Sequence, residues 1–383
     1  MDFELSGEQR LLKDSIERLM ADRYTFEARN RFMAEADGFS RDLWRHYAEL
    51  GLLGLSYSEE HGGIGGGPVE TMIVMEAFGR ALALEPYLAT VVLSGGLIDA
   101  GGNAALRDDL LPRIASGEMR LAFAHAERQA RYCLSDVAAT ARQDGTGYML
   151  EGAKTLVLHG DSADRFVVSA RLSGDRRDEA GIGLFLVDAG ATGLSRRGYP
   201  TVDGLRAAEL ALDGVRVSSE RVIGTPGEAF PLIDRVVARA IAAICAEAVG
   251  AMEVLHGLTV DYLKTRRQFG KPIGDFQVLQ HRAAEMLVAL EQARSMAMFA
   301  AMMADDPDAA ARRRAISAAK VQIGHSGRLI GQQAIQLHGG IGMTMEYSAG
   351  HYFKRLTAIN TLFGDADHHL LQLARMDGGL IAA

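Results

Sequence analysis

Two short segments about seventy residues apart in the C-terminal third carry the residue types best suited to chemistry. The first is Tyr262-Leu-Lys-Thr-Arg-Arg-Gln-Phe-Gly270, followed by Lys271-Pro-Ile-Gly274 and Phe276-Gln277. It offers fixed positive charge, an amide and an aromatic face. The second is Gln336-Leu-His-Gly-Gly-Ile-Gly342, whose glycines let backbone N–H groups approach a ligand closely. Each lies where a helix-like pattern stops and backbone groups are left unpaired. Together they suit a long bis-phosphate ligand with a flat ring at one end, which describes a dinucleotide.

The elements that position these segments fall into three regions. Residues 1–118 read as helical: Leu11, Leu12, Ile16, Leu19 and Met20 share one helical face, and Ser6 with Glu8 and Gln9 supplies a capped start. Glycines 62, 63, 65, 66 and 67 form a loop before a helix at about 69–84. Over residues 119–226 short apolar or alternating runs appear at Leu121 and Phe123, Tyr148 and Leu150, Phe166–Val168, Ile182–Val187, and Leu210 and Leu212. Asp144-Gly145, Asp161, Gly174-Asp175 and Asp213-Gly214 read as the turns between them, giving an antiparallel sheet to which the strands are confined. Over residues 227–383 the pattern is helical again. Ile316, Ile323, Ile330 and Leu337 recur every seven residues on one face of a bundle helix that Gly339 should end.

Composition bounds the function. The chain has 383 residues, 48% apolar and 23% charged, which suits two or three packed soluble units. A formal charge of −8 with no long basic stretch argues against nucleic-acid binding, and Arg312-Arg-Arg314 reads as a solvated helix face. Cys133 and Cys245 are too few for a disulfide framework, so a cytoplasmic location is expected. Asp2 and Glu4 at the start do not read as a signal peptide. The most apolar stretch, Val236–Met252, is interrupted by Arg239 and Glu247 and reads as too short for a membrane span.

The two motifs resemble the acyl-CoA dehydrogenase family of FAD enzymes. Its Arg-x-x-Phe-Gly run, following Gln, and Gln-x-x-Gly-Gly-x-Gly correspond here to Arg266, Phe269, Gly270, Gln277, Gln336, Gly339, Gly340 and Gly342. Glu49-Leu-Gly-Leu-Leu-Gly-Leu55, Gly62-Gly63 and Leu111-Pro-Arg-Ile-Ala-Ser-Gly117 are similar too, so the resemblance covers nearly the whole chain. It implies an α+β fold with an N-terminal helical domain, a central antiparallel β domain and a C-terminal four-helix bundle. It also implies cofactor roles. Arg266 would contact the FAD diphosphate, Phe269 the adenine and Gln277 a polar edge, with Gln336 and the amides near Gly339 and Gly340 on the far side of the pyrophosphate. In the family these groups reach a FAD bound mainly by a neighbouring subunit, so the motif implies an oligomer.

Other parts of the family pattern are altered. Its Thr-Glu-x-x-x-Gly-Ser-Asp run, which contacts the flavin ring and thioester, is here Ala126 to Asp136: Glu127, Ser135 and Asp136 match, the glycines are gone and about three residues are inserted. Its Trp-Ile-Thr strand is Leu156-Val157-Leu158, and Leu158 has no hydroxyl to offer the flavin. The catalytic base is left unassigned. The family's Glu position falls on Phe363 in Leu362-Phe363-Gly364-Asp365, and the alternative position of some members falls on Ala240, two turns from Glu247. Asp365 or Asp367 could serve as a displaced base, although Asp365 also suits a helix cap. His368 and His369 beside them do not make a metal site, because adjacent helical residues point apart. His338 reads as a structural or cofactor-edge residue.

Trans contacts kept, ring pocket altered and base missing resemble the degenerate subunit of paired, pimeloyl-CoA-type dehydrogenases, as do Gly350-His-Tyr-Phe-Lys-Arg355 and Phe363-Gly364-Asp365. The resemblance implies an acyl-CoA substrate, a homologous partner subunit and electron-transfer flavoprotein. The alternatives are a self-sufficient homotetrameric dehydrogenase, a non-catalytic flavin- or acyl-CoA-binding protein, and a flavin monooxygenase of the same fold.

Overall fold

The structure is a computed structural model that describes residues 5–376. The start with Asp2 and Glu4 lies outside them. In chain order the helices are α1 (Gly7–Arg23), α2 (Phe26–Met33), α3 (Arg41–Glu49), α4 (Pro68–Ala81), α5 (Gly96–Gly101), α6 (Ala104–Ala115), α7 (Phe230–Thr265), α8 (Gln277–Met303), α9 (Ala309–His338), α10 (Ala349–Thr361) and α11 (Ala366–Met376). The sheet comprises β1 (Leu121–Ala124), β2 (Thr140–Asp144), β3 (Gly147–Leu158), β4 (Arg165–Arg171), β5 (Ile182–Asp188), β6 (Leu194–Pro200), β7 (Arg206–Ser218) and β8 (Val222–Ile223). A further pair, β9 (Arg267–Gln268) and β10 (Lys271–Pro272), follows α7. The chain divides into two compact units. One takes in the described residues up to Arg31, Pro68–Ala83 and the described residues from Ile241; the other is Phe32–Gly67 with Leu84–Ala240.

In the first unit, sequence pattern and structure agree closely at the helix ends. Ser6 accepts from the Gln9 amide while the Gln9 side chain accepts from the Ser6 amide, a reciprocal cap. Ile16, Leu19 and Met20 are buried, whereas Leu11, expected on the same face, is 68% exposed. On α9 the seven-residue repeat Ile316, Ile323, Ile330 and Leu337 is buried, and the helix stops at Gly339 with φ +64°. Gly324 and Gly331 on α9 let α10 come close: an added Cβ would strike the Asn360 side chain at 2.4 Å and the Phe353 ring at 2.4 Å. Gly79 on α4 and Gly250 on α7 do the same where these helices cross, meeting the carbonyls of Glu247 and Glu76 at 1.9 and 2.0 Å. Arg312 departs from the expected solvated face: it is buried and donates to the Asp306 carbonyl.

The second unit holds the sheet, in order β6-β7-β3-β2-β4-β5-β8 with β1 added beside β4. Most pairs are antiparallel, but β1 runs parallel to β4, an arrangement the turn pattern could not reveal. β4 and β5 are buried along nearly their whole length, which is why Phe166–Val168 and Ile182–Val187 are continuous apolar runs. β7 alternates buried and exposed residues. Asp213-Gly214, expected as a turn, lies inside β7. It forms a bulge opposite Glu151, with Gly214 at φ +65° and the ladder shifting register there. The sequence also gives no apolar signal for β6, whose Ser195, Arg196 and Arg197 are exposed. A second correction is the β9–β10 pair, because strands were expected only before residue 227.

One described helix, α7, is long and apolar enough to cross a membrane, and 72% of that apolar stretch is buried inside the protein. The stretch read as too short is therefore part of a 36-residue core helix.

Buried charge organises the sheet unit. Lys154 on β3 is fully buried with its ammonium 2.6 Å from Glu127 and 3.1 Å from Ser169 Oγ. Glu127 also accepts from the Ala138 and Ala139 amides and from Gln129. Burial alone would raise its pKa, but the Lys154 charge and these hydrogen bonds hold it below the usual carboxylate value. Replacing Lys154 with Met should cost about 3–5 kcal/mol in urea unfolding, because one charge of a buried pair is left alone. Lys154→Met/Glu127→Gln should recover most of the loss; an equally unstable double variant would show that packing, not charge, is responsible.

Candidate functional site

At the end of α7 the chain turns back in a two-residue hairpin, with Arg267 opposite Pro272 and Gln268 opposite Lys271. Phe269 and Gly270 form its tip at φ +54° and +81°, the left-handed pair of a type I′ turn. Glycine adopts this freely, but phenylalanine pays roughly 1–2 kcal/mol. Its ring is nevertheless 91% exposed, touching only the Phe276 ring edge-on at 6.2 Å among its ring contacts. Arg266 precedes the hairpin, its carbonyl accepting from Ile273 at 2.8 Å. Among the described residues the exposed side chains of Arg266, Gln277 and Gln336 have no hydrogen-bond or ion-pair partner. Gln277 opens α8 and Gln336 lies in the last turn of α9.

Gly339 and Gly340 are exposed, and apart from their chain neighbours no atom would lie within 4 Å of an added Cβ on either. Their backbone is open to close approach by a ligand. The two segments lie side by side, since Tyr262 near the end of α7 packs on His338 at the end of α9, ring centroids 4.7 Å apart. The structure thus sets the two segments at adjoining helix ends, with all six residues expected to bind a dinucleotide exposed.

The loop between α10 and α11 holds Phe363 at φ +57° and Gly364 at φ +109°. Three interactions fix it. Fully buried Lys320 donates to the carbonyls of Ile359, Asn360 and Gly364 at 2.8, 2.9 and 2.8 Å. His369 Nε2–H donates to the Phe363 carbonyl at 3.1 Å while its Nδ1 accepts from Ser317 Oγ at 3.1 Å. Asp365 accepts from the His368 amide at 2.8 Å, capping α11. Asp367 is exposed in the first turn of that helix. Ala240 is buried, and Glu247 is held in a bidentate pair with Arg355 at 2.6 and 2.7 Å. His368 and His369 sit edge to face at 86° rather than converging on a common point.

In the sheet unit the 126–136 segment is locked by its own polar groups. Glu127 is spent on Lys154, and buried Asp136 pairs with Arg176 and Arg177, each at 2.9 Å. Arg171 donates to six carbonyls, among them those of Ser135, Val137 and Arg176. On β3, Leu156 is 42% exposed at φ +48° where the β3–β7 register shifts, and Leu158 is half-buried.

Comparison with known proteins places this geometry. Sequence profiles for the acyl-CoA dehydrogenase N-terminal, middle and C-terminal domains match residues 6–118, 122–215 and 231–376. The chain belongs to the acyl-CoA dehydrogenase family. It is similar to acryloyl-CoA reductase (NADH) of Anaerotignum propionicum, at 28% identity over 98% of this chain and 95% of that protein. Among solved structures it resembles the ChsE4–ChsE5 complex from Mycobacterium tuberculosis, with TM-score 0.88, 25% identity and full coverage of both chains. It also resembles the FAD complex of PigA, with TM-score 0.90 and 26% identity over 99% of each chain. The acyl-CoA dehydrogenase family comprises flavoprotein oxidoreductases that act on CoA thioesters.

Acyl-CoA dehydrogenase motifs located Arg266, Gln336 and the Phe363 loop, but not the groups that hold them. Lys320 was missed although a signal existed: it lies four residues after Ile316 and three before Ile323, on the buried stripe. Lys154 and Arg171 had no such signal, since an isolated cation in a strand reads as solvent-facing. Burial carries the Lys320 pKa down to about 8 and that of His369 to about 4, the latter reinforced by the neighbouring charges of Lys320 and His368. For His369 the folded state favours the neutral ring, whose ordinary pKa is 6.5. Its contribution to stability should be complete above pH 6.5 and fall away as pH drops toward 4. Thermal midpoints measured across that window should decline less steeply in His369→Gln; an unchanged slope would place the acid sensitivity elsewhere.

Proposed function

We propose that this chain is the base-deficient subunit of a heteromeric, FAD-dependent acyl-CoA dehydrogenase. The observation that carries this reading is the contrast between two loops. The dinucleotide-binding residues are exposed and unspent, whereas the loop at the family's base position presents Phe363 and commits Asp365 to a helix cap. Phenylalanine accepts no proton, and Glu247 is neutralised by Arg355. Similarity to a two-component complex, ChsE4–ChsE5, supports the pairing.

The donor set fits the diphosphate and adenine part of FAD. An unpaired guanidinium can fork two phosphate oxygens, and open glycine backbone can come within hydrogen-bonding distance of others. Phe269 offers a flat apolar face, and Gln277 and Gln336 offer amides. The ring side fits less well, because Leu158 and Ala126 lack hydroxyls and Glu127 and Asp136 are already paired. The flavin, when bound, accepts a hydride from the acyl chain. This chain's residues hold and orient the cofactor's distal half, while a partner supplies the base that removes the α-proton. Electron-transfer flavoprotein is the proposed electron acceptor, and a reducing, cytoplasmic compartment suits the two free thiols. A second reading, Asp365 as displaced base, would require it to leave the α11 cap.

Arg266→Ala should weaken FAD retention by about 1.5–3 kcal/mol, the range for a hydrogen bond to a charged group; unaltered retention would make the motif decorative. The chain alone should reduce dye with acyl-CoA about 10²- to 10⁴-fold more slowly than a family enzyme with its base in place. Activity should appear on co-expression with a homologous subunit carrying a Glu. Rapid turnover by the lone chain, abolished in Asp365→Asn, would instead make Asp365 the base.

A further inference from the structure

The two cofactor segments are joined by three aromatic side chains that none of the assigned contacts uses. Tyr262 sits one helical turn before Arg266, whose amide donates to the Tyr262 carbonyl at 2.8 Å. His338 is the last residue of α9, between Gln336 and Gly340. Tyr347 lies beyond the glycine turn, where the chain heads into α10. The His338 ring meets Tyr262 at 4.7 Å and Tyr347 at 5.1 Å between centroids. Its Nδ1 is 2.8 Å from the Ala334 carbonyl, which can only accept, so Nδ1 carries a proton. Tyr347 Oη–H then donates to Nε2 at 3.2 Å. Burial lowers the His338 pKa against the pull of the Ala334 and Leu258 carbonyls, which favours the neutral ring.

This arrangement does more than fill space. Bonds at both ring nitrogens fix the plane of the imidazole, and that plane sets where Tyr262 lies. Tyr262 in turn fixes the last turn of α7, from which Arg266 and the strained hairpin project. The outer part of the glycine segment is pinned separately: His351 Nε2–H donates to the Met345 carbonyl at 3.0 Å, with Arg29 3.4 Å from His351 Nδ1. Loss of one aromatic contact should therefore loosen the coupling without unfolding the segment.

We propose that Tyr262, His338 and Tyr347 are positioning residues that couple the Arg266 hairpin to the Gly339–Gly340 turn, so that both are presented to the cofactor as one preorganised unit. The proposal rests on the flavin-binding reading above. Its physical basis is that a guanidinium on an exposed hairpin loses affinity to the cost of ordering it, and a rigid support removes that cost. Coupling of this kind predicts non-additivity, which simple packing does not.

The test is a double-mutant cycle read by FAD titration of the co-purified assembly, following flavin fluorescence. Arg266→Ala alone should weaken FAD binding by roughly tenfold or more, and by less than about threefold in a Tyr262→Leu background. Tyr262→Phe keeps the ring and should retain the full Arg266→Ala effect. Tyr347→Phe, which removes only the hydroxyl, provides a second cycle if Tyr262→Leu does not fold, and should also shrink the effect. An Arg266→Ala penalty of the same size in every background would overturn the proposal and leave the flavin reading intact. No penalty from Arg266→Ala in the native background would overturn both.

Discussion

Two long helices, α7 and α9, end beside one another, and the functional account depends on that coincidence. Tyr262 against His338 holds the ends together, and each end leaves exposed side chains without hydrogen-bond or ion-pair partners among the described residues, Arg266 on one and Gln336 on the other. The seven-residue apolar repeat sets the rotation of α9, and the glycine crossings at Gly79 and Gly250 set how closely α7 packs against α4. A shift of either helix by a residue would separate Arg266 from the glycine turn.

Backbone strain gathers in the segments that the family uses for chemistry. Among the described residues six non-glycine residues have positive φ, and four of them, Arg131, Leu156, Phe269 and Phe363, fall in the segments that the family uses for flavin or base. Each left-handed residue costs on the order of 1–3 kcal/mol and persists only where surroundings over-determine it. Around Phe363 those surroundings are Lys320, His369 and the Asp365 cap; the segment that carries Arg131 is tied down at Ser135 and Asp136 by Arg171, Arg176 and Arg177. The left-handed backbone of these segments is thus held by buried polar groups, whichever side chains they carry.

How much of this was legible in the sequence follows from the range of the interactions. Helix caps and stops at Ser6 and Gly339 are local, so residue type alone locates them. The buried repeat on α9 is periodic and equally readable, and the cofactor motifs are short and contiguous. The Asp213-Gly214 bulge reads as a turn because both require a glycine with positive φ, and only the opposing strand distinguishes them. The parallel β1–β4 pairing, the β6 strand with its polar exposed face, and the buried cations Lys154, Lys320 and Arg171 depend on partners distant in sequence. Leu11 fits the period of α1 but lies at the edge of its buried stripe, so periodicity overstates the face.

The central claim is that this chain lends the distal half of a flavin site to a partner and lacks a working site of its own. The most direct measurement is the ratio of FAD to polypeptide in the purified assembly and in the lone chain, by absorbance after denaturation. The account predicts little retained FAD in the lone chain and about half as many flavins as polypeptides in the pair, because only the partner's ring pocket is competent. One FAD per chain in the lone protein would contradict it.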